Sequence, residues 1–125
     1  MVRTVLIVDD NPSIRQSLCE LFTRQGDFDV CGEAENGREA IDRAQQLHPD
    51  LIVMDLSMPV MNSLDAARVL RRLMPAVPLI MFSAYCDAFT EKEARSAGVS
   101  LFVSKSEHMS VLVDKARSLL DHIAA

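Results

Sequence analysis

The sequence predicts an α/β protein in which five parallel strands alternate with five helices. Short apolar runs alternate along the chain with segments whose apolar residues recur at helical spacing. The apolar runs are nearly continuous, as expected for strands covered on both faces. This alternation is typical of a parallel sheet with right-handed crossovers. The predicted strands are residues 4–8, 28–32, 51–54, 79–82 and 99–103.

Capping residues and helix-terminating residues predict the helices. Asn11 is a typical N-cap, and Pro12 suits the first turn of the first helix. Asn36, with Glu39 three residues later, resembles a capping box. Gly98 is a typical C-terminal stop. The predicted helices cover about residues 12–25, 37–48, 64–73, 90–97 and 108–122. We expect their apolar faces to be buried, including Leu47, Leu73 and Ile123 at the helix ends.

Composition and charge exclude several classes of protein. With 125 residues, of which 49% are hydrophobic and 25% charged, we expect residues 1–125 to form one globular domain. A net charge of −5 argues against direct contact with nucleic acid or an anionic membrane. No secretory signal or membrane-spanning apolar stretch is visible. The chain has three cysteines, Cys19, Cys31 and Cys86, an odd number without the spacing of a metal site. We therefore expect reduced, mostly buried thiols in a cytoplasmic protein.

Polar residues follow four of the predicted strands. Asp9 and Asp10 follow the first, Asp55 the third, Ser83 the fourth and Lys105 the fifth. In open α/β sheets the ligand crevice lies outside the carboxyl ends of the strands, so we expect these side chains to converge.

Crowded carboxylates repel one another, so the cluster predicts a cation, Mg²⁺ or Mn²⁺. Asp10 and Asp55 would bind it directly with the backbone carbonyl of Ser57, and Asp9 would act through water. Asp55 is then the candidate nucleophile for an aspartyl phosphate. Lys105 would pair with phosphoryl oxygens, and the Ser83 hydroxyl would donate to one of them.

Segments 5–10, 54–59, 83–84 and 102–105 resemble the receiver domain of bacterial two-component response regulators, most closely the LuxR-type or NarL-family regulators. The resemblance covers the whole chain. It implies a flavodoxin-like, doubly wound sheet of order 2-1-3-4-5 and phosphotransfer from a histidine kinase, assisted by the receiver itself. Such a protein is not a turnover enzyme. The resemblance also implies that Phe102 is a switch aromatic; a plain core aromatic is the alternative.

The output remains open at the level of sequence. A DNA-binding output domain in a longer chain, a separate protein target and a phosphorylation-dependent homodimer all fit the resemblance. We expect the output surface to comprise the fourth helix, the fifth strand and the last helix, with Tyr85 and Phe89 in the loop before the fourth helix.

The chain departs from the family pattern at three positions. Ser106 stands where the family often has a cis-proline after the lysine, which leaves the geometry of that loop open. Ser63 stands in place of a common glycine, where serine is able to cap the next helix. Ser83 replaces the more usual threonine, and its freer side chain predicts looser coupling to Phe102.

The residue pattern leaves three alternative functions. A flavodoxin-like electron carrier would need a phosphate-binding loop after the first strand, where Asp9 and Asp10 stand. An aspartyl-phosphate phosphatase would need a second acid two residues after its nucleophile, where Ser57 stands. A receiver-like interaction module without phosphorylation would not need the complete set of site residues.

Overall fold

The computed structural model describes residues 2–56, 62–83, 88–105 and 109–124, and it confirms the predicted fold class. The strands are β1 (Arg3–Val8), β2 (Phe28–Ala34), β3 (Leu51–Asp55), β4 (Leu79–Ser83) and β5 (Leu101–Ser104). The helices are α1 (Pro12–Thr23), α2 (Gly37–Leu47), α3 (Ser63–Leu73), α4 (Ala88–Ser96) and α5 (Met109–Ala124).

All strands belong to one sheet of order β2-β1-β3-β4-β5, and every neighbouring pair is parallel. This is the order that the family resemblance implies. The first crossover from β1 goes to the β2 edge, and the later strands extend the sheet the other way. The direction therefore reverses between β1 and β3, and the carboxyl ends of strands at such a reversal are where open α/β sheets bind ligands.

Two apolar layers cover the two faces of the sheet. On one face, Val5 and Ile7 pack with α1 and α5 through Phe22 and Leu112. On the other face, Leu6 and Val8 pack with α2, α3 and α4. Successive strand side chains point to opposite faces, which explains why the whole run has to be apolar.

The N-caps predicted at Asn11 and Asn36 and the helix end predicted at Gly98 are confirmed. The Asn11 side chain accepts hydrogen bonds from the backbone N–H groups of Ser13 and Ile14 at 2.9 and 3.2 Å. Asn36 accepts one from Glu39 N–H at 2.8 Å. Gly98 has a φ of +102°, the left-handed conformation that glycine adopts without strain.

Several details differ from the sequence predictions. Helix α4 begins at Ala88, so Phe89 belongs to the helix rather than to a preceding loop, and its side chain is exposed. Strand β5 covers Leu101–Ser104 rather than residues 99–103.

The predicted burial was wrong at three helix ends. Leu47, Leu73 and Ile123 are 37%, 47% and 53% exposed, because the last turn of each helix lies at the margin of the covered face.

Two of the cysteines differ from their predicted burial. Cys19 and Cys31 are free, as predicted, but only half-buried. Cys86 and Tyr85 lie outside the described residues. No helix in the described part of the chain combines the length and the apolar character needed to span a membrane.

Candidate functional site

The predicted site residues converge at the carboxyl ends of the strands. Asp9 and Asp10 directly follow β1, whereas Asp55 and Ser83 end β3 and β4. Asp9, Asp55 and Ser83 are buried, whereas Asp10 is exposed. One carboxylate oxygen from each of the three aspartates lies within 4.8 Å of the other two. Residues distant in sequence thus form one acidic cluster.

Lys105 supplies the positive charge of the cluster. Its Nζ lies 2.9 Å from Asp55 Oδ1 and 3.8 Å from Asp9 Oδ2, and 5.6 Å from the centre of the Phe82 ring. Its backbone N–H donates to the Ser83 carbonyl at 2.7 Å. This bond continues the β4–β5 pairing beyond the end of β5, which explains how Lys105 reaches across to the end of β3.

In the described part of the chain, Asp9 is a buried carboxylate with only one of its two oxygens hydrogen-bonded. Its Oδ1 accepts a hydrogen bond from Asn11 N–H at 2.9 Å, whereas its buried Oδ2 has no hydrogen-bond partner among the described residues. Burial raises the pKa of Asp9, and the nearby Asp55 charge adds to this. The Asn11 bond and Lys105 lower the pKa, but the upward effects prevail.

Arg15 also belongs to the site, although no sequence pattern indicates it. Its guanidinium donates to the backbone carbonyl of Asp9 at 2.8 Å and to the Glu33 carboxylate at 3.0 Å. Arg15 thereby ties the loop after β1 to β2. An arginine in the first turns of a helix is common at a surface, so the sequence carried no signal for this contact.

A hard divalent cation fits this donor set. The three aspartates offer only oxygen ligands, which Mg²⁺ and Mn²⁺ accept. A cation would also compensate the orphaned Asp9 Oδ2 and the repulsion between the carboxylates. Ser57, the predicted carbonyl ligand, lies outside the described residues, as does Ser106.

Ser63 has a different role from the predicted cap. Asn62 is the N-cap of α3, and its side chain accepts a hydrogen bond from Asp65 N–H at 2.9 Å. Ser63 is the first helical residue, and its buried hydroxyl donates to the backbone carbonyl of Asp55. Phe102 is half-buried in β5 and packs against the α2–α3–α4 side of the core.

The chain is similar to known proteins along nearly its whole length. The family model of the response regulator receiver domain matches residues 5–117. The chain is 38% identical to the chemotaxis protein CheY of Thermotoga maritima, over 91% of this chain and 94% of that protein. It is 41% identical to a protein-glutamate methylesterase/protein-glutamine glutaminase of Methanosarcina mazei, over 95% of this chain but 35% of that protein.

A similar solved structure is a LuxR-family two-component response regulator from Aurantimonas sp. SI85-9A1. Its TM-score is 0.93 at 28% identity, and the match covers 98% of this chain and 87% of that chain. The chain spans only about a third of the length of the methylesterase relatives it matches. The similarity to those proteins therefore concerns their receiver portion.

Proposed function

The chain belongs to the response regulator receiver domain family of two-component signal transduction, and we propose that Asp55 is the residue on which it accepts a phosphoryl group. The surroundings of the Asp55 carboxylate carry this proposal. Asp55 is buried at the end of β3, and its carboxylate lies 2.9 Å from Lys105 Nζ. Together with Asp9 and Asp10, Asp55 forms a cluster of carboxylates close enough to hold one cation.

In the proposed reaction, a carboxylate oxygen of Asp55 attacks the phosphorus of a kinase phosphohistidine. The phosphorus–nitrogen bond breaks, and the imidazole nitrogen takes the bonding electron pair. Lys105 moves its ion pair from Asp55 to the phosphoryl oxygens, and the Ser83 hydroxyl donates to one of them. The receiver supplies these groups to its own phosphorylation and dephosphorylation, and we do not expect turnover of external substrates.

We propose that Mg²⁺ or Mn²⁺ is held directly by Asp10, Asp55 and the backbone carbonyl of Ser57, with Asp9 acting through water. Asp10 suits direct coordination because it is exposed. Asp9 is buried, and its Oδ2, which has no hydrogen-bond partner among the described residues, would accept a hydrogen bond from a water on the cation. Bound there, the cation neutralises charge on the transferred phosphoryl group.

The rival functions are less well supported. A module that works without phosphorylation would leave the buried Asp55–Lys105 pair and the orphaned Asp9 oxygen without a purpose. The serine at position 57 argues against a phosphatase, which would use an acid there.

The proposed output follows from the fold. Residues 1–125 act as one receiver domain whose input partner is a histidine kinase. The output partner is a DNA-binding domain in a longer chain or a separate protein target, and a phosphorylation-dependent homodimer is a further form of output. Phosphorylation draws the Ser83 hydroxyl toward the phosphoryl group on Asp55, whereas Lys105 already contacts Asp55. Phe102 responds by changing rotamer. The surface that changes is formed by α4, β5 and α5.

Acetyl phosphate labelling tests the phosphorylation site. The protein is incubated with acetyl phosphate and Mg²⁺, and its intact mass is measured. We expect one phosphoryl group on the wild type and on Asp42→Asn, an exposed control on α2, and none on Asp55→Asn or in EDTA. Asp10→Ala should slow labelling more than Asp9→Ala. Undiminished labelling of Asp55→Asn would refute the assignment.

Beryllofluoride, a phosphoryl mimic, tests the output surface. NMR chemical shifts are compared with and without it. We expect changes at Phe102 and along α4, β5 and α5. Changes confined to the loops that touch Asp55 would mean that the site binds phosphoryl groups without switching this surface.

A further inference from the structure

A buried hydroxyl on α3 contacts the backbone of the proposed phosphoacceptor. Ser63 is fully buried at the first position of α3, and its Oγ donates a hydrogen bond to the carbonyl oxygen of Asp55. A glycine at this position, as in the family pattern, would have no group to make this bond. The contact is therefore a property of this chain's own sequence.

Helix capping does not account for this hydroxyl. The Asn62 side chain already accepts from Asp65 N–H, so the first turn of α3 has its side-chain cap. The Ser63 hydroxyl points instead at the strand end. Its acceptor belongs to the residue whose carboxylate pairs with Lys105.

The bond also joins the start of α3 to the end of β3. At one end of the loop that connects them, Leu56 N–H donates to the Phe82 carbonyl at 3.3 Å. At the other end, Ser63 Oγ holds Asp55 itself. Leu56 and Ser63 are therefore each bonded to a strand end, and the proposed carbonyl ligand Ser57 lies between them in the sequence.

We propose that Ser63 is a positioning residue for phosphoryl transfer: its hydroxyl holds the Asp55 backbone so that the carboxylate faces Lys105 and the acidic pair. This inference rests on the proposed function of Asp55. Small displacements of a reacting group reduce the rate steeply, because the attack needs close and aligned atoms. A group that orients a reactive residue through a hydrogen bond therefore affects the rate without touching the substrate.

The test compares Ser63→Ala with Asn62→Ala. Each change removes one side-chain hydrogen bond at the start of α3, but only the first removes the bond to Asp55. Labelling rates are measured against acetyl phosphate concentration at saturating Mg²⁺, and melting temperatures are recorded in parallel. For Ser63→Ala we expect a roughly fivefold lower saturating rate, the effect of losing one neutral hydrogen bond. Its half-saturating acetyl phosphate concentration should not change.

Three further comparisons decide between positioning and plain stability. Asn62→Ala should melt earlier yet label at the wild-type saturating rate. Ser63→Thr keeps a hydroxyl and should recover most of the rate, whereas Ser63→Gly should behave like Ser63→Ala. A wild-type saturating rate in Ser63→Ala or Ser63→Gly, or an equal loss of rate in Asn62→Ala, would overturn the inference. Absence of labelling on the wild type itself would instead refute the proposed function.

Discussion

Replacing Lys105 with methionine should strongly destabilise the metal-free protein at neutral pH. Lys105 Nζ lies 2.9 Å from one buried carboxylate, Asp55, and 3.8 Å from another, Asp9. With an effective dielectric constant of about 20, these distances correspond to attractions of roughly 6 and 4 kcal/mol. Desolvation offsets most of this, and removing one partner of a buried pair usually costs about 3–5 kcal/mol. The Lys105 side chain is 26% exposed, so we expect the lower end, about 3 kcal/mol.

Urea denaturation in EDTA and in excess Mg²⁺ measures this effect. In EDTA we expect Lys105→Met to lose about 3 kcal/mol of unfolding free energy. Mg²⁺ should stabilise both proteins by mass action, and more so the variant, because the cation replaces the missing ammonium charge. Lys92→Met, an exposed control on α4, should stay within about 0.5 kcal/mol of the wild type.

Two results would refute this reasoning. If Lys105→Met were as stable as the wild type in EDTA, the ion pairs would contribute nothing. If Mg²⁺ stabilised both proteins equally, the lysine and the cation would not act on the same carboxylates.

Three further predictions concern single ionisable groups. Burial raises the pKa of Asp9, so the ionised carboxylate destabilises the folded protein once the pH has risen through that pKa. Asp9→Asn should therefore stabilise the metal-free protein at pH 7 but not near pH 3, as measured by thermal melts. The hydrogen bond from Arg117 lowers the pKa of Asp27 in the folded protein. The pair therefore stabilises the protein at pH values above the pKa of Asp27 in the unfolded chain, and this stabilisation is lost as the pH falls. Arg117→Met should thus cost about 0.2–1 kcal/mol at pH 7, the range for solvent-exposed pairs, and progressively less in urea denaturation as the pH falls through the lowered pKa of Asp27. Burial and Glu33 raise the pKa of Cys19 to about 11, so peptide mass spectrometry should find it alkylated far more slowly at pH 8 in the native protein than in urea; equal rates would contradict this.

The position of the candidate site was largely predictable because its polar residues stand at strand ends. In a parallel sheet all strands end at one edge, so an acid after β1, an acid after β3 and a lysine after β5 must converge. That logic placed Asp9, Asp10, Asp55 and Lys105 without any distances. It could not say that Lys105 pairs with Asp55 more closely than with Asp9, because this depends on differences of about one ångström.

The sequence by itself determined the α/β class, the caps at Asn11 and Asn36 and the membership of the acidic cluster. These features depend on local periodicity, on hydrogen bonds spanning two or three residues, and on a rule that holds for every parallel sheet. The strand order came with the family resemblance. Only the tertiary structure decided which long-range partners the polar groups take. Arg15 binds the Asp9 carbonyl and Ser63 binds the Asp55 carbonyl because elements separate in sequence pack within hydrogen-bonding distance. Backbone carbonyls look alike in every residue, so no sequence pattern indicates which one a buried donor will reach.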